Sequence, residues 1–273
     1  MENVIFESMN EQYRVRVLQD VNAGNPREFE NLGTMICWHP RYKLGDEHNY
    51  KTERDFFDHL AEEHDAENTL RGLERKVVIL PLYLYDHSGL VMKTSPFSDP
   101  WDSGRVGWIY CPKERFINET GYLESELFSS KTNRKPIFGE HVRLRGHEGK
   151  GPGGEGFGKI VAIDDEEIVV DFDYHKIPAA RDSKNLVSAR YEDVVEVLSG
   201  VAEKMLNNEV TVYNDYLSGN VYGFVLERVI RCDCCGHLKF ERISECFGFY
   251  GDAAKAELVE SLRDHSDLIA DWV

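Results

Sequence analysis

At 273 residues, with 41% hydrophobic and 11% aromatic side chains, the chain has ample apolar surface for a packed core, which excludes a disordered protein. Its 32 basic and 49 acidic residues leave a net charge of -17, which argues against passive binding to nucleic-acid phosphates or an anionic membrane and favours a basic or DNA-mimicked partner. No apolar run approaches the ~20 residues that span a bilayer, and Met1-Glu2-Asn3-Val4 lacks the basic region and apolar core of a leader, so the cytoplasm is the expected location.

Tyr13 to Leu18 alternates with period two and predicts a half-buried strand, ended by the turn residues Asn22-Ala23-Gly24-Asn25-Pro26. Thr52 and Asp55 have the spacing of an N-cap and its acidic partner, and Phe56, Phe57 and Leu60 then give a short helix one apolar face. Val77 to Tyr85 is a continuous apolar run long enough for a strand, in which Pro81 demands a bulge or an edge. Arg105 to Cys111 predicts another strand, with Val106, Trp108 and Tyr110 on one face.

The polar stretch Ser129 to Pro136 reads as a linker. Beyond it, Glu140 to Leu144, Phe157 to Ile163, Ile168 to Phe172 and Tyr191 to Leu198 are strand candidates, joined first by the glycine-rich loop Gly149 to Gly154. Four or five strands in so short a span predict a small SH3-like barrel over residues 137–198, inserted into a main domain made of 1–136 and 199–273. Phe157, Phe172, Tyr174 and His175 offer it a binding surface, although core packing explains the phenylalanines equally well.

Val201, Met205, Leu206, Val210, Tyr213 and Leu217 fall on one side of a helix that Gly219 stops. Val221 to Arg231 and His237 to Phe247 predict a hairpin, and Asp252 is placed to cap a final helix carrying Ala254, Leu258 and Leu262. The expected fold class is therefore α+β: a mixed, mainly antiparallel sheet with flanking helices, plus the inserted barrel.

Functional-looking groups gather in three stretches beside predicted strands: Cys37 to Asp46, Tyr85 to Gly89, and Pro100 to Gly104. If the strands are neighbours, His39, Asp86, His87, Asp102 and Ser103 could serve a hydrolytic site as acid-base groups, metal ligands or nucleophile, with Arg41, Tyr42, Asp46 and Trp101 as binding groups. The same sequences make good turns, because Asp and Ser side chains bond nearby amides and Gly accepts positive φ. Cys232 and Cys235 have the C-x-x-C spacing of half a zinc knuckle, whose remaining ligands must come from Cys234, His237 or Cys246 or from distant Cys37 or Cys111; Cys232, Cys235, His237 and Cys246 are the set taken, and structural zinc is the one cofactor expected.

Asn31-Leu32-Gly33-Thr34-Met35-Ile36-Cys37-Trp38-His39 with Arg41-Tyr42 and Leu44-Gly45-Asp46 resembles the opening of a group of proteins encoded by bacteriophages and mobile elements. Leu80 to Gly89, Pro100 to Gly107, Tyr213 to Phe224 and Cys246 to Gly251 are similar to later blocks of that group. Residues 137–198 and the cysteine cluster depart from its pattern. The resemblance implies a phage context without a defined activity. With the charge, it leads to the expectation of a phage counter-defence protein that binds and inhibits a host nucleic-acid-handling factor through acidic surface, with catalysis left open. The alternatives are a hydrolase acting on a nucleotide or nucleic acid, and a scaffold recruiting a partner through the barrel.

Overall fold

A computed structural model describes residues 3–87, 89–99, 101–128, 135–174, 176 and 182–272. Ser88 and Pro100 of the polar stretches, residues 129–134 of the expected linker, and His175 lie outside the described residues. The chain divides into two compact units, one formed by 1–52, 81–109 and 207–273, the other by 53–80 and 110–206. Both helices and antiparallel sheets are present, so the fold is α+β.

The first unit is built on a sheet of β1 (Val4–Met9), β2 (Tyr13–Gln19), β12 (Val221–Arg231) and β13 (Leu238–Tyr250), in the order β1-β2-β12-β13 and antiparallel throughout. Val15, Val17, Phe224 and Leu226 project from one face of it, as the alternation in β2 predicts, and pack with Leu258, Leu262, Leu268 and Ile269 of the C-terminal segment. Leu258 lies on α6 (Ala253–Ser261), the expected last helix. Asp252 precedes it without capping it, because its carboxylate is turned to the Lys255 ammonium at 2.6 Å.

A second sheet has the order β3-β6-β4-β5, from β3 (Thr34–Cys37), β4 (Val77–Asp86), β5 (Leu90–Lys93) and β6 (Ser103–Pro112). Pro81 stands outside the β4–β5 ladder, which begins only at Tyr83 opposite Lys93, so its missing amide hydrogen breaks no bond to β5. On β6 the expected apolar face is joined by Ile109 and Cys111 of the other face, both fully buried. Gly107 is required there: a Cβ would stand 2.0 Å from the Ile36 carbonyl oxygen. That close approach leaves Trp38 able to donate its amide to the Val106 carbonyl at 2.8 Å.

In the second unit, β7 (His141–Leu144), β8 (Phe157–Ile163), β9 (Glu167–Asp171), β10 (Leu186–Arg190) and β11 (Val194–Val197) form one sheet ordered β10-β9-β8-β7-β11. Val142, Leu144, Ile160, Ile168, Val170 and Phe172 make its core. The predicted last strand is shorter than expected, since Tyr191–Asp193 is a 3-10 turn and a separate strand, β10, precedes it. That strand carries no continuous apolar face, which is why its pattern was weak. Buried Glu126 holds the start of β7, accepting the His141 amide at 2.6 Å and its Nδ1 at 2.5 Å on Oε1.

The remaining helices are α1 (Glu53–Glu63), α2 (Leu70–Leu73), α3 (Lys113–Thr120), α4 (Glu124–Leu127) and α5 (Val201–Leu217). Phe56 and Leu60 of α1 are fully buried, as are their counterparts Leu206, Val210 and Tyr213 of α5 to within a few per cent.

Candidate functional site

The loop after β3 leaves the sheet at Cys37 and returns at Gly45. Its neck is closed by an Ile36–Gly45 bridge and by the Asp46 amide donating to the Met35 carbonyl at 2.8 Å. Gly45 has φ +71°, and a Cβ there would lie 2.5 Å from Met35 O, so glycine is the residue that fits. Beneath the neck sits Arg27, its side chain only 3% exposed. The guanidinium donates to both Asp46 oxygens at 2.8 Å, to Glu209 Oε2 at 3.0 Å and to the Gly33 carbonyl at 2.6 Å. Glu209 in turn accepts the Leu32 and Gly33 amides at 2.9 and 3.1 Å, and Asp46 Oδ2 accepts the Met35 amide at 2.8 Å. Burial works to lower the Arg27 pKa, but hydrogen bonds and charge from Asp46 and Glu209 outweigh it and hold the group above its ordinary value.

Asp46, expected among the binding groups, is therefore a structural residue with both oxygens occupied. Neither Arg27 nor Glu209 was singled out from sequence. The available signal was Glu209 itself, an acid set among Leu206, Val210 and Tyr213 on the buried side of α5, where a carboxylate needs a partner. The Tyr213 hydroxyl oxygen reaches the same neck and accepts the Gly45 amide at 3.0 Å, and burial raises its pKa. Burial, with the nearby Asp46 charge, also pushes the Cys37 thiol up to about 12.

The loop tip borders an open cleft of about 930 Å³ lined by residues from Cys37 to Asn49. His39 turns its Nδ1 inward to accept the Arg41 and Tyr42 amides, both at 3.3 Å, and its ring stacks on Tyr42 with centroids 5.0 Å apart. Arg41 pairs with Asp86 at the end of β4 and lies over the Tyr42 ring. The Asp86 amide donates to the Asp102 carbonyl at 2.9 Å, and the Asp102 carboxylate meets His87 Nδ1 at 3.1 Å. His39, Arg41, Tyr42, Asp86, His87 and Asp102 thus form one linked set, and Trp101, the chain neighbour of Asp102, is 93% exposed. Ser103 is not part of it, because its hydroxyl donates to the Asp99 carbonyl.

The cysteine cluster occupies the tip of the β12–β13 hairpin, where Gly236 at φ +70° makes the turn and donates its amide to the Cys232 carbonyl at 2.8 Å. The Cys232, Cys234 and Cys235 sulfurs lie within 4.8 Å of one another, a group that could hold a metal ion. Cys232 and Cys234 are in hydrogen-bond contact at 2.9 Å; that bond, the Cys235 thiol and the Cys234 and Cys235 amides lower the Cys232 pKa to about 7, while the bonds to the Cys232 and Cys235 thiols raise that of Cys234. Cys246, one of the expected ligands, is elsewhere: it sits along β13 opposite Phe224.

Comparison with protein-family models, curated proteins and solved structures yields no match. Among the described residues, no helix is long and apolar enough to cross a membrane.

Proposed function

We propose that this protein is a binding protein whose loop rim docks on a basic, nucleic-acid-handling host protein, with the surplus negative charge steering the encounter. The observation that carries the reading is the rim itself, where Arg41 lies over Tyr42 and pairs with Asp86, whose amide bonds the carbonyl of Asp102, the chain neighbour of exposed Trp101. Tryptophan, tyrosine and arginine are the residues that dominate binding energy at protein interfaces. The charge of -17 supplies long-range attraction to a cationic partner. In this reading the phage-like sequence blocks indicate counter-defence, the acidic surface substitutes for nucleic-acid phosphates, and the host cytoplasm is the site of action. Capture of host proteins by the intact chain during infection tests it. The reading requires a captured basic protein that binds directly, loses affinity as salt rises, and is released by Trp101→Ala or Arg41→Ala; salt-independent binding counts against it.

A hydrolase is the second reading, favoured by the His87–Asp102 pair, in which a carboxylate orients an accessible imidazole. Nucleotide hydrolysis abolished by His87→Ala would support it. Two finer assignments belong with these proposals. An SH3-like barrel for the 141–197 sheet is supported by the strand order, with the fifth strand returning beside the first and a 3-10 turn before it. Zinc is the metal best suited to a cluster of cysteine thiols held in a tight turn.

A further inference from the structure

The hairpin tip is held by little besides its own backbone. Residues 233–237 are exposed, and most of β13 beyond them is exposed too. A metal there would supply the cross-link that packing does not. Three sulfurs already converge. Tetrahedral zinc with bonds of about 2.3 Å places its sulfurs about 3.8 Å apart, so the triad within 4.8 Å is near the required size. The Cys232–Cys234 contact, at 2.9 Å, has to open by about 1 Å, within the reach of a side-chain rotation.

The fourth ligand follows from the register. Arg231 faces Leu238, and the next pair inward is Cys232 and His237, joined by the Cys232 amide donating to the His237 carbonyl at 2.9 Å. Directly opposed residues of an antiparallel pair share a face, with Cβ atoms about 4.5–5.5 Å apart. Continuing that register puts position 237 on the same side as Cys232; the His237 ring nitrogens stand outside the 4.8 Å sulfur group, so a side-chain rotation has to bring the imidazole in. Cys246 lies eight residues past Leu238, which at about 3.3 Å per residue is about 26 Å along the strand.

We propose that Cys232, Cys234, Cys235 and His237 form a closed tetrahedral zinc site that pins the hairpin tip, and that Cys246 takes no part. This rests on reading the cluster as a zinc site, and among the completing ligands that the sequence leaves open it takes Cys234 and His237 in place of Cys246. A closed four-ligand site is structural, so its effect is on the hairpin and not on a reaction.

The test is cobalt substitution in the reduced, metal-stripped full chain, followed by zinc displacement and amide exchange. Wild-type protein should develop the visible absorption of tetrahedral cobalt with thiolate charge-transfer bands, bleached by zinc. Zinc should also slow exchange of amides 229–240. Cys234→Ser should lose the spectrum, His237→Ala should shift and weaken it, and Cys246→Ser should leave it intact. Absence of any cobalt or zinc response in reduced wild-type protein would overturn the metal reading altogether. A response that persists unchanged in Cys234→Ser or His237→Ala, or disappears in Cys246→Ser, would leave a metal site but overturn this ligand set. Circular dichroism of each variant shows that the rest of the chain remains folded.

Discussion

Arg27 and Glu209 stand 182 residues apart in the chain and meet at 3.0 Å, with the Arg27 side chain almost fully buried. This pair, with Asp46, ties α5 to the two chain segments that frame the rim loop. The rim is consequently a supported surface and not a floppy loop tip, because its neck is tied to charged groups that cannot be left unpaired.

Replacing Arg27 by Met should therefore cost about 3–5 kcal/mol, since it leaves two carboxylates uncompensated beneath the neck. Urea unfolding monitored by tryptophan fluorescence measures this. A cost below about 1 kcal/mol would mean that the network behaves as an exposed salt bridge.

Gly107→Ala tests the contact between β6 and β3. The added methyl meets the Ile36 carbonyl at 2.0 Å, backbone against backbone, where no side chain can rotate away. A loss of about 1–3 kcal/mol is expected, read as a lower midpoint in the same unfolding experiment.

Trp101→Ala should do the opposite of a core substitution. At 93% exposure the indole contributes little to folding, so stability should stay within about 0.5 kcal/mol of wild type. Binding to a captured partner should weaken by about 2 kcal/mol or more, the scale of an interface anchor. Equal affinity by calorimetry would remove Trp101 from the docking surface.

Thiol reactivity should divide the cysteines. Burial holds Cys37 protonated, with its pKa pushed up to about 12, whereas Cys232 is lowered to about 7. In metal-free native protein, iodoacetamide should label Cys232 with a rate that rises as pH passes through about 7, because the thiolate is the nucleophile. Cys37 should remain unlabelled until the protein unfolds. Peptide mass mapping across pH 6–9 separates the two.

Acid sensitivity should include a contribution from Asp173. Its carboxylate accepts the Asp182 amide at 2.9 Å and pairs with Lys176 at 2.8 Å, which lowers its pKa to about 2 from an ordinary 3.8. A depressed folded-state pKa stabilises the fold above the unfolded value, and the benefit disappears as pH falls from about 4 to about 2. Asp173→Asn should flatten that part of the stability profile in thermal melts; an unchanged slope would assign the acid transition to other carboxylates.

Much of the architecture was legible locally. The alternation of Tyr13 to Leu18, the apolar run from Val77 and the periodic face of α5 each state which side is buried, and the described elements follow them. Strands β1, β5 and β10 were not legible, because they are short or half-exposed and impose no clear period. The Asp252 cap failed for a related reason: a compatible residue is not compelled to bond its own helix when a lysine one turn away competes for it.

The candidate residues divide in the same manner. Chain order alone shows that Cys232, Cys234 and Cys235 are close, since neighbours in a tight turn cannot be far apart, and it shows that polar groups crowd the ends of β3, β4 and β6. Only the tertiary structure decided that Asp46 is spent on Arg27 and that Ser103 bonds Asp99. Composition and periodicity act over a few residues and select strand, helix and turn. The pairing of charges across the sheet depends on which segments become neighbours, and that is settled by packing.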